Sequence, residues 1–383
     1  MVNVVASTVA DVVIAGGGVI GTAIAWRAAL AGLDVVVVDP AVGDGATLVA
    51  AGMLAPVSES LFGEEELLRL NLLALRRFPG FAAELEQVTG VPVGLRREGT
   101  LAIAYDPGDY AALMRMTEFR RSAGLEAEEL DSRGCRKLEP FLTPDVHGGV
   151  LFGSDWSVDN RRYAAALRSA LDTAGVRALR DRVSEVAGGS SPRVRLASGD
   201  VVSCSAVVVA TGSWTGQLTG LPSMLRAVIR PVKGQLLRLR HPDGMPQVTT
   251  RTIRATVRGG DIYLVPRADG EMVIGSTQEE REDQTVTAGA VHDLLHDAMS
   301  VLPVTSELIL AETCVGLRPG TPDNGPVVGW SGTDGVLMAT GHYRNGILMS
   351  AATADAAVAY LTGREPEDAW KAFVPARFGE ASE

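Results

Sequence analysis

Short apolar runs and one alanine-rich stretch alternate over the first forty residues. Residues 11–15 and 35–38 are mostly valine and isoleucine, which is typical of buried parallel strands. Residues 22–31 between them are rich in alanine and precede Gly32, which predicts a helix that ends at a glycine. The pattern predicts a strand–helix–strand unit, the start of an α/β fold.

The turn between this strand and helix carries three glycines in G-x-G-x-x-G spacing. Gly16 permits the tight turn, Gly18 lets a pyrophosphate approach the backbone, and Gly21 lets helix and strand pack closely. The helix N-terminus offers unpaired N–H groups to the phosphates, and Asp39 stands where an acid binds a ribose diol. An acid there disfavours NADP. The sequence predicts a dinucleotide site that includes Gly16, Gly18, Val19, Ile20, Gly21 and Asp39.

A different pattern occurs in the second half of the chain. Residues 261–276 alternate and predict a β-hairpin, with Tyr263 on one face and Ile262 on the other. Residues 336–340 predict a strand and residues 346–361 a helix. The N-terminus of that helix can face a group that becomes negatively charged on reduction.

Composition and charge exclude several classes of protein. Of the 383 residues, 46% are hydrophobic and 21% charged, which favours a packed core over disorder. The net charge of -11 argues against a nucleic-acid partner or an anionic membrane surface. The longest uncharged apolar run near the start, residues 12–26, is shorter than the about 20 residues that a spanning helix needs. No membrane association is therefore predicted.

The cysteines and histidines indicate neither a disulfide framework nor a metal site. Cys135, Cys204 and Cys314 lie far apart in the sequence, which fits a reducing, cytoplasmic location. His292 and His296 are one helical turn apart, a zinc-compatible spacing. The motif lacks the glutamate of H-E-x-x-H and a nearby third ligand, so we predict a solvated helix surface and no metal.

The loop after Asp39 contains a second motif. Residues 50–54 read Ala-Ala-Gly-Met-Leu, and the chain here resembles the amino-acid oxidase branch of FAD-dependent enzymes, the glycine oxidases in particular. Similar landmarks follow in order at residues 138–140, 157–159, 206–214, 231–235, 262–267, 316–321 and 341–347. The resemblance also covers the D-amino acid oxidases and sarcosine oxidases.

The resemblance implies a two-domain α/β architecture. A Rossmann-type FAD-binding domain of the glutathione-reductase-like kind is interleaved with a mixed α+β substrate domain built on an antiparallel sheet. The FAD-binding domain is predicted over residues 1–92, 148–228 and 318–383. The substrate-binding domain is predicted over residues 93–147 and 229–317.

The resemblance also implies which residues contact FAD. Val183 falls where the family contacts adenine through its main chain. Sarcosine oxidases attach FAD through a cysteine whose equivalent here is Gly316, two residues from Cys314, so non-covalent FAD is predicted. The remaining implied cofactor residues are Thr47, Ala50, Ala51, Gly52, Met53, Thr211, Gly212, Trp214, Gly341, His342, Arg344, Asn345, Gly346 and Ile347.

The same transfer implies the substrate residues. Tyr263 would line the substrate pocket, and Arg318 would bind the substrate carboxylate through its planar guanidinium. Arg344 would lie near the substrate or brace its loop. Gln278 departs from the family, since glycine oxidases usually have methionine there, and the preferred amino acid is therefore left open. The implied catalytic residues are Arg318, Tyr263 and Arg344.

The implied reaction is oxidative deamination of glycine or another small amino acid. Hydride passes from Cα to flavin N5, giving an imino acid, then glyoxylate and ammonia, while O₂ becomes H₂O₂. The resemblance further implies a homotetramer and a role in forming the thiazole of thiamine. A D-amino acid oxidase, a sarcosine or N-methyl amino acid oxidase, and a dinucleotide-binding sensor or partner subunit without turnover remain alternatives.

Overall fold

A computed structural model describes residues 8–257 and 259–379. The ends of the predicted cofactor domain, residues 1–7 and 380–383, lie outside these ranges. The strands are β1 Thr8–Ala15, β2 Val35–Val38, β3 Met53–Leu54, β4 Thr100–Ala104, β5 Glu128–Asp131, β6 Gly148–Phe152, β7 Trp156–Ser157, β8 Arg177–Leu179, β9 Val183–Ala187, β10 Arg193–Leu196, β11 Val201–Val209, β12 Arg230–Arg240, β13 Thr252–Val257, β14 Gly260–Pro266, β15 Glu271–Gly275, β16 Ile309–Gly320, β17 Val327–Trp330 and β18 Val336–Thr340. The α-helices are α1 Val19–Leu30, α2 Ala46–Val49, α3 Glu65–Thr89, α4 Pro107–Ser122, α5 Ser132–Leu138, α6 Asn160–Thr173, α7 Ser223–Ala227, α8 Ala288–Val301 and α9 Gly346–Leu361.

The first sheet has the predicted parallel core. Its order is β17-β18-β11-β1-β2-β8, with β10 and β9 continuing antiparallel from β11. Strand β1 is parallel to both β11 and β2. Helix α1 begins three residues before the predicted start, because Gly18 is extended and the chain turns helical at Val19. The bounds predicted for β2, β18 and α9 are confirmed.

Apolar residues cover both faces of this sheet. Helices α1, α3, α6 and α9 bury their apolar sides in one large cluster with the sheet. A second cluster lies on the other face, under β9, β10 and the segment around Leu218. A β-branched strand buried on both faces, such as β2, is the arrangement expected of parallel sheets.

The second sheet has the order β16-β12-β15-β14-β13-β4-β6-β5. Its pairs are antiparallel except β13 with β4. Helix α8 packs on one face with Ile262 and Leu264, while Tyr263 and Val265 lie on the other, so the predicted alternation is confirmed. Strand β6 pairs with β4 and β5 in this sheet, although the predicted division placed residue 148 onward in the cofactor domain. A strand's partners depend on long-range pairing, which its own residues do not specify.

Candidate functional site

A cavity of about 900 Å³ lies between the two sheets. It reaches from the turn before α1 to the face of the second sheet that carries Tyr263. Most of the predicted site residues line it, namely Gly16, Gly18, Val19, Ile20, Asp39, Thr47, Ala50, Ala51, Gly52, Met53, Val183, Thr211, Gly212, Trp214, Tyr263, Gln278, Arg318, His342, Arg344, Gly346 and Ile347. Gly21, Gly341 and Asn345 lie behind this lining.

The first wall is the glycine turn at the N-terminus of α1. Gly16 has φ +103°, and a Cβ there would lie 2.4 Å from the Ala210 carbonyl oxygen. A Cβ on Gly21 would lie 1.9 Å from the Gly16 carbonyl oxygen, so this glycine serves helix–strand packing. The N-cap residue Gly18 has no side chain that could cap α1. The positive end of the helix dipole therefore faces the cavity, as an anion site requires.

Two side chains shape this end further. Val19 N donates a 2.9 Å hydrogen bond to Thr47 Oγ1, which ties the loop of α2 to the start of α1. Asp39 follows β2, and its carboxylate accepts 2.7 Å hydrogen bonds from Gly17 N and Ala41 N. These bonds fix the carboxylate at the cavity edge and leave further lone pairs for a ligand hydroxyl.

The loop of residues 47–53 is held from behind by buried polar side chains. Asn160 Nδ2 donates to the Thr47 carbonyl at 2.8 Å. Arg267 Nη2 donates to the Ala51 carbonyl at 2.7 Å, and Arg267 Nη1 to the Val158 carbonyl at 2.9 Å. Arg267 is 2% exposed, and burial lowers its pKa to about 10, so it stays protonated at neutral pH. The sequence reasoning recognised residues 262–267 as a landmark but gave Arg267 no role.

The far end of the first sheet provides an aromatic and a basic residue. Val183 and Trp214 line the cavity there, with Arg182 5.9 Å from the Trp214 ring centroid. Trp214 is 42% exposed, which leaves its ring open to a flat ligand. The Thr211 hydroxyl is 2.9 Å from that of Thr215, and this contact holds the turn that follows β11.

The segment before α9 closes another side of the cavity. His342 is buried and its Nε2 lies 2.9 Å from Thr353 Oγ1. Burial lowers the His342 pKa to about 3, so its ring is neutral. Arg344 lines the cavity and lies 3.8 Å from Glu64, which supports the bracing alternative, while its buried Nε has no hydrogen-bond partner among the described residues. Asn345 is buried and begins α9 without a side-chain cap.

The second sheet supplies the opposite wall. Four residues form a row across this sheet. Tyr263 of β14 pairs with Gly275 of β15, and Gly275 also pairs with Leu236 of β12. Leu236 pairs in turn with Cys314 of β16. Residues paired directly across strands point to the same face, so this row faces the cavity. Arg318 lies four residues beyond Cys314 on β16 and therefore faces the same way.

Arg318 is fixed by contacts to the end of β15. Its Nη2 donates to Ser276 Oγ at 2.6 Å, and its Nη1 to the Thr277 carbonyl at 3.3 Å. No carboxylate pairs with Arg318 among the described residues. A cationic fork at a cavity wall that bonds only neutral oxygens is suited to a ligand carboxylate.

An ion pair in the same cavity was missed by the sequence reasoning. Arg254 Nη1 donates to Glu59 Oε1 at 2.5 Å, and both residues line the cavity. Arg254 stands opposite Tyr263 in the hairpin of β13 and β14. Asp155 accepts hydrogen bonds from two backbone N–H groups just before Glu59 and so fixes the loop that carries it. The sequence signal was one charged residue in a strand otherwise made of uncharged residues.

Gln278 lines the cavity, where the family usually has methionine. Asp261 and Gln284 line it as well, so polar side chains surround this part of the wall. Gln278 is an exposed residue of this lining. The sequence identified this position, and the structure adds its polar neighbours.

Cys314 and Gly316 are both cavity-lining residues of β16. Burial and the neighbouring Glu312 raise the Cys314 pKa to about 11, which keeps its sulfur protonated at neutral pH. His292 and His296 are exposed, and each hydrogen-bonds the aspartate that follows it. Within residues 8–257 and 259–379, no cluster of three or more candidate metal ligands occurs.

The residues present fit FAD. The cavity volume lies near the upper end of small-molecule pockets, and the cavity offers a helix N-terminus to phosphates and a carboxylate to a ribose. Residues 50–53 and the first two residues of α9 also line the cavity. An extended dinucleotide with an aromatic ring system is complementary to these lining groups.

Comparison with known proteins agrees with this assignment. Residues 11–361 match the family model described as FAD dependent oxidoreductase. The chain is 32% identical over 376 residues to the bifunctional protein ThiO/ThiG of Synechocystis sp., covering 97% of this chain and 54% of that protein. It thus spans about half the length of that relative. It is 32% identical over 348 residues to a glycine oxidase of Geobacillus kaustophilus, covering 90% of each.

A solved structure extends the likeness to three dimensions. The crystal structure of glycine oxidase from Geobacillus kaustophilus superimposes with a TM-score of 0.88 at 30% identity, covering 97% of this chain and 99% of that one. The predicted fold class is therefore confirmed. None of the helices described here is both long and apolar enough to cross a membrane.

Proposed function

Because this chain belongs to the FAD dependent oxidoreductase family, we propose that it oxidises glycine or another small amino acid bound in this cavity. One observation carries the proposal. A dinucleotide-type turn at one end of the cavity lines the same space as an arginine at the other end, which has no carboxylate partner within residues 8–257 and 259–379. A dinucleotide-binding sensor would need the first feature but not the second.

Arg318 is proposed to hold the substrate carboxylate in two parallel hydrogen bonds. Ser276 and Thr277 keep its guanidinium in one orientation, so little rotamer freedom is lost when substrate binds. Tyr263 bounds the same end of the cavity. A clamped carboxylate fixes the direction of the α-carbon, and such orientation accounts for much of the rate in reactions of this type.

The oxidising chemistry is that of a flavin, which takes up hydride equivalents and passes them to O₂ as H₂O₂. Two residues of the chain near the start of α9 line the cavity without offering a free charge to it. His342 is neutral because it is buried, and Arg344 is braced toward Glu64. We propose Gly16, Gly18, Val19, Ile20, Asp39 and the loop of residues 47–53 as the chain's FAD contacts.

The cofactor is proposed to be non-covalent. The thiol of Cys314 is protonated at neutral pH, since burial raises its pKa to about 11, and a thiol is a far weaker nucleophile than a thiolate. We propose that this chain supplies an imine to thiazole formation, and its similarity to the bifunctional protein ThiO/ThiG supports this proposal. The interleaved domains predicted from the sequence remain part of the proposal, with β6 assigned to the second sheet.

Association of copies is also proposed, as a homotetramer. The exposed Ile309 and Leu310 on the edge strand β16 support it, because exposed apolar residues on a strand edge favour pairing with another chain. We propose a cytoplasmic location on the basis of three cysteines that are free thiols. The net charge of -11 supports the absence of a nucleic-acid partner.

The test is an H₂O₂ assay with the FAD-loaded protein over glycine, sarcosine, D-alanine and D-proline. Oxidation of glycine with yellow protein that bleaches under anaerobic conditions is the expected result. Turnover of only sarcosine or a D-amino acid would shift the substrate within the same chemistry. Protein that takes up no FAD, or takes it up and oxidises none of the four, would contradict the proposal. Arg318→Ala should raise KM on the order of 100-fold.

A further inference from the structure

Two glycines lie directly beneath the side chains assigned to the substrate. A Cβ on Gly234 would lie 2.2 Å from Arg318 Nη1 and 2.4 Å from its Nη2. A Cβ on Gly275 would lie 2.5 Å from Tyr263 Oη and 2.6 Å from its Cζ. Carbon atoms in contact normally stay about 3.5 Å or more apart, so neither position has room for a side chain.

The strand order explains why both side chains need this room. Arg318 starts from β16 and crosses Gly234 on β12 to reach Ser276 at the end of β15. Tyr263 starts from β14 and leans over its cross-strand partner Gly275 on β15. The guanidinium and the phenol therefore approach each other from two outer strands, above the two glycines of the inner strands.

A left-handed backbone does not account for these glycines, although the peptide bond between Gly275 and Ser276 is cis. Neither Gly234 nor Gly275 has a positive φ, whereas Gly16 does. Glycine in the interior of a strand weakens the sheet and often marks a close approach by another group. An aromatic side chain that covers a strand glycine can compensate for this loss of sheet stability, and Tyr263 covers Gly275 in this way. The space above the backbone is the property that these positions supply.

We propose that Gly234 and Gly275 are positioning residues that let Arg318 and Tyr263 converge on the substrate carboxylate. The inference rests on the proposed function and deepens it, because it assigns the shape of the carboxylate site to two residues without side chains. An alanine methyl at position 234 lifts the guanidinium away from Ser276 and displaces the carboxylate that it holds. An alanine methyl at position 275 pushes the Tyr263 phenol toward the cavity.

An alanine at position 234 should weaken substrate recognition more than it weakens folding. The atoms that an alanine methyl would strike at position 234 are the far end of a flexible side chain, which can move without shifting the backbone. Gly234→Ala should therefore retain FAD and its melting temperature. Its KM for the substrate should rise on the order of 10- to 100-fold with a smaller change in kcat.

The experiment compares FAD-loaded wild type with Gly234→Ala, Gly275→Ala and the control Gly153→Ala. A Cβ on Gly153 would meet no atom within 4 Å, and its φ is not positive. Besides KM and kcat, the dissociation constant for glycolate, the hydroxy analogue of glycine, is read from the flavin absorption spectrum. This readout is independent of turnover. We expect weaker glycolate binding for Gly234→Ala and Gly275→Ala, and glycolate binding equal to wild type for Gly153→Ala.

A double-mutant cycle completes the test. Gly234→Ala should add no further loss of kcat/KM once Arg318→Ala is present, because its effect passes through that guanidinium. Three results would overturn the inference. They are unchanged glycolate affinity in Gly234→Ala, an equal loss of kcat/KM when Gly234→Ala is added to Arg318→Ala, and loss of FAD in both glycine variants. Those outcomes leave wild-type amino acid oxidation intact. A wild type that neither oxidises an amino acid nor binds glycolate would instead overturn the proposed function.

Discussion

Arg267 Nη2 donates a 2.7 Å hydrogen bond to the carbonyl oxygen of Ala51. The bond joins the residue that follows β14 in the second sheet to the loop that borders the cofactor space of the first. It places a fully buried cation at the junction of the two sheets, where carbonyl oxygens and Asn160 are its hydrogen-bond partners. The loop is thus positioned by a residue more than 200 positions away in sequence.

Replacing this cation should cost both stability and cofactor affinity. In Arg267→Met the carbonyls of Ala51 and Val158 lose their donors, and a buried unsatisfied acceptor costs about 1–3 kcal/mol. We expect the free energy of unfolding to fall by about 3 kcal/mol and FAD to bind more weakly. Urea unfolding and FAD titration measure the two effects. Arg69→Met, at an exposed arginine, is the control, and an equal loss there would contradict the role of Arg267.

Thr47 should matter through its hydroxyl. Thr47→Val keeps the shape of the side chain but removes the acceptor for Val19 N at the start of α1. Loss of a capping acceptor costs about 1 kcal/mol, and we expect a five- to tenfold rise in the FAD dissociation constant, about 1–1.4 kcal/mol. Fluorescence titration of apoprotein with FAD provides the measurement. Thr47→Ser retains the hydroxyl and should bind FAD like wild type; equal weakening in both variants would argue for methyl packing instead.

Gln278 is expected to tune the choice between glycine and its N-methyl form. Restoring an apolar wall with Gln278→Met should favour sarcosine, whose extra methyl gains about 0.8 kcal/mol when buried. The ratio of kcat/KM for sarcosine to that for glycine should rise about fourfold. Steady-state H₂O₂ assays with both substrates test this. A ratio that stays constant would show that the position does not contact the amine end of the substrate.

His342 should make the fold sensitive to acid. Burial lowers its pKa from 6.5 to about 3, so between these values the unfolded chain binds a proton that the folded chain does not. Stability from this group is present above pH 6.5 and is lost as the pH falls toward 3, by up to about 1.4 kcal/mol per pH unit. Urea unfolding at pH 7.5 and 5.5 should show a larger loss in wild type than in His342→Gln. Equal losses would mean that His342 is charged in the folded state.

Denaturation should release the flavin. With Cys314 protonated and no thiolate to attack the ring, acid precipitation of yellow protein should leave the yellow colour in the supernatant. Absorption spectra of supernatant and pellet distinguish the outcomes. Colour that stays in the pellet of wild type but not of Cys314→Ser would contradict non-covalent binding.

Elements with a local sequence signal could be predicted before the fold was known. The glycine turn, the valine run of β2 and the helix α9 are each specified by neighbouring residues, because turn geometry, strand burial and helix periodicity are short-range properties. Asp39 could be named from its spacing to the glycine turn, whereas Thr47 and Arg318 were implied by the family resemblance, and all three line one cavity.

Contacts between residues far apart in sequence became known from the fold alone. Strand β6 belongs to the second sheet, Arg254 pairs with Glu59, and Arg267 holds Ala51, and each relationship depends on strand partners that no local pattern encodes. Gly234 shows most clearly the kind of role that the sequence does not reveal. In the sequence it is one of 43 glycines, and its function appears only when Arg318 is seen to cross it from the neighbouring strand. A residue without a side chain has no chemistry of its own to recognise, so the space it leaves becomes visible only in three dimensions.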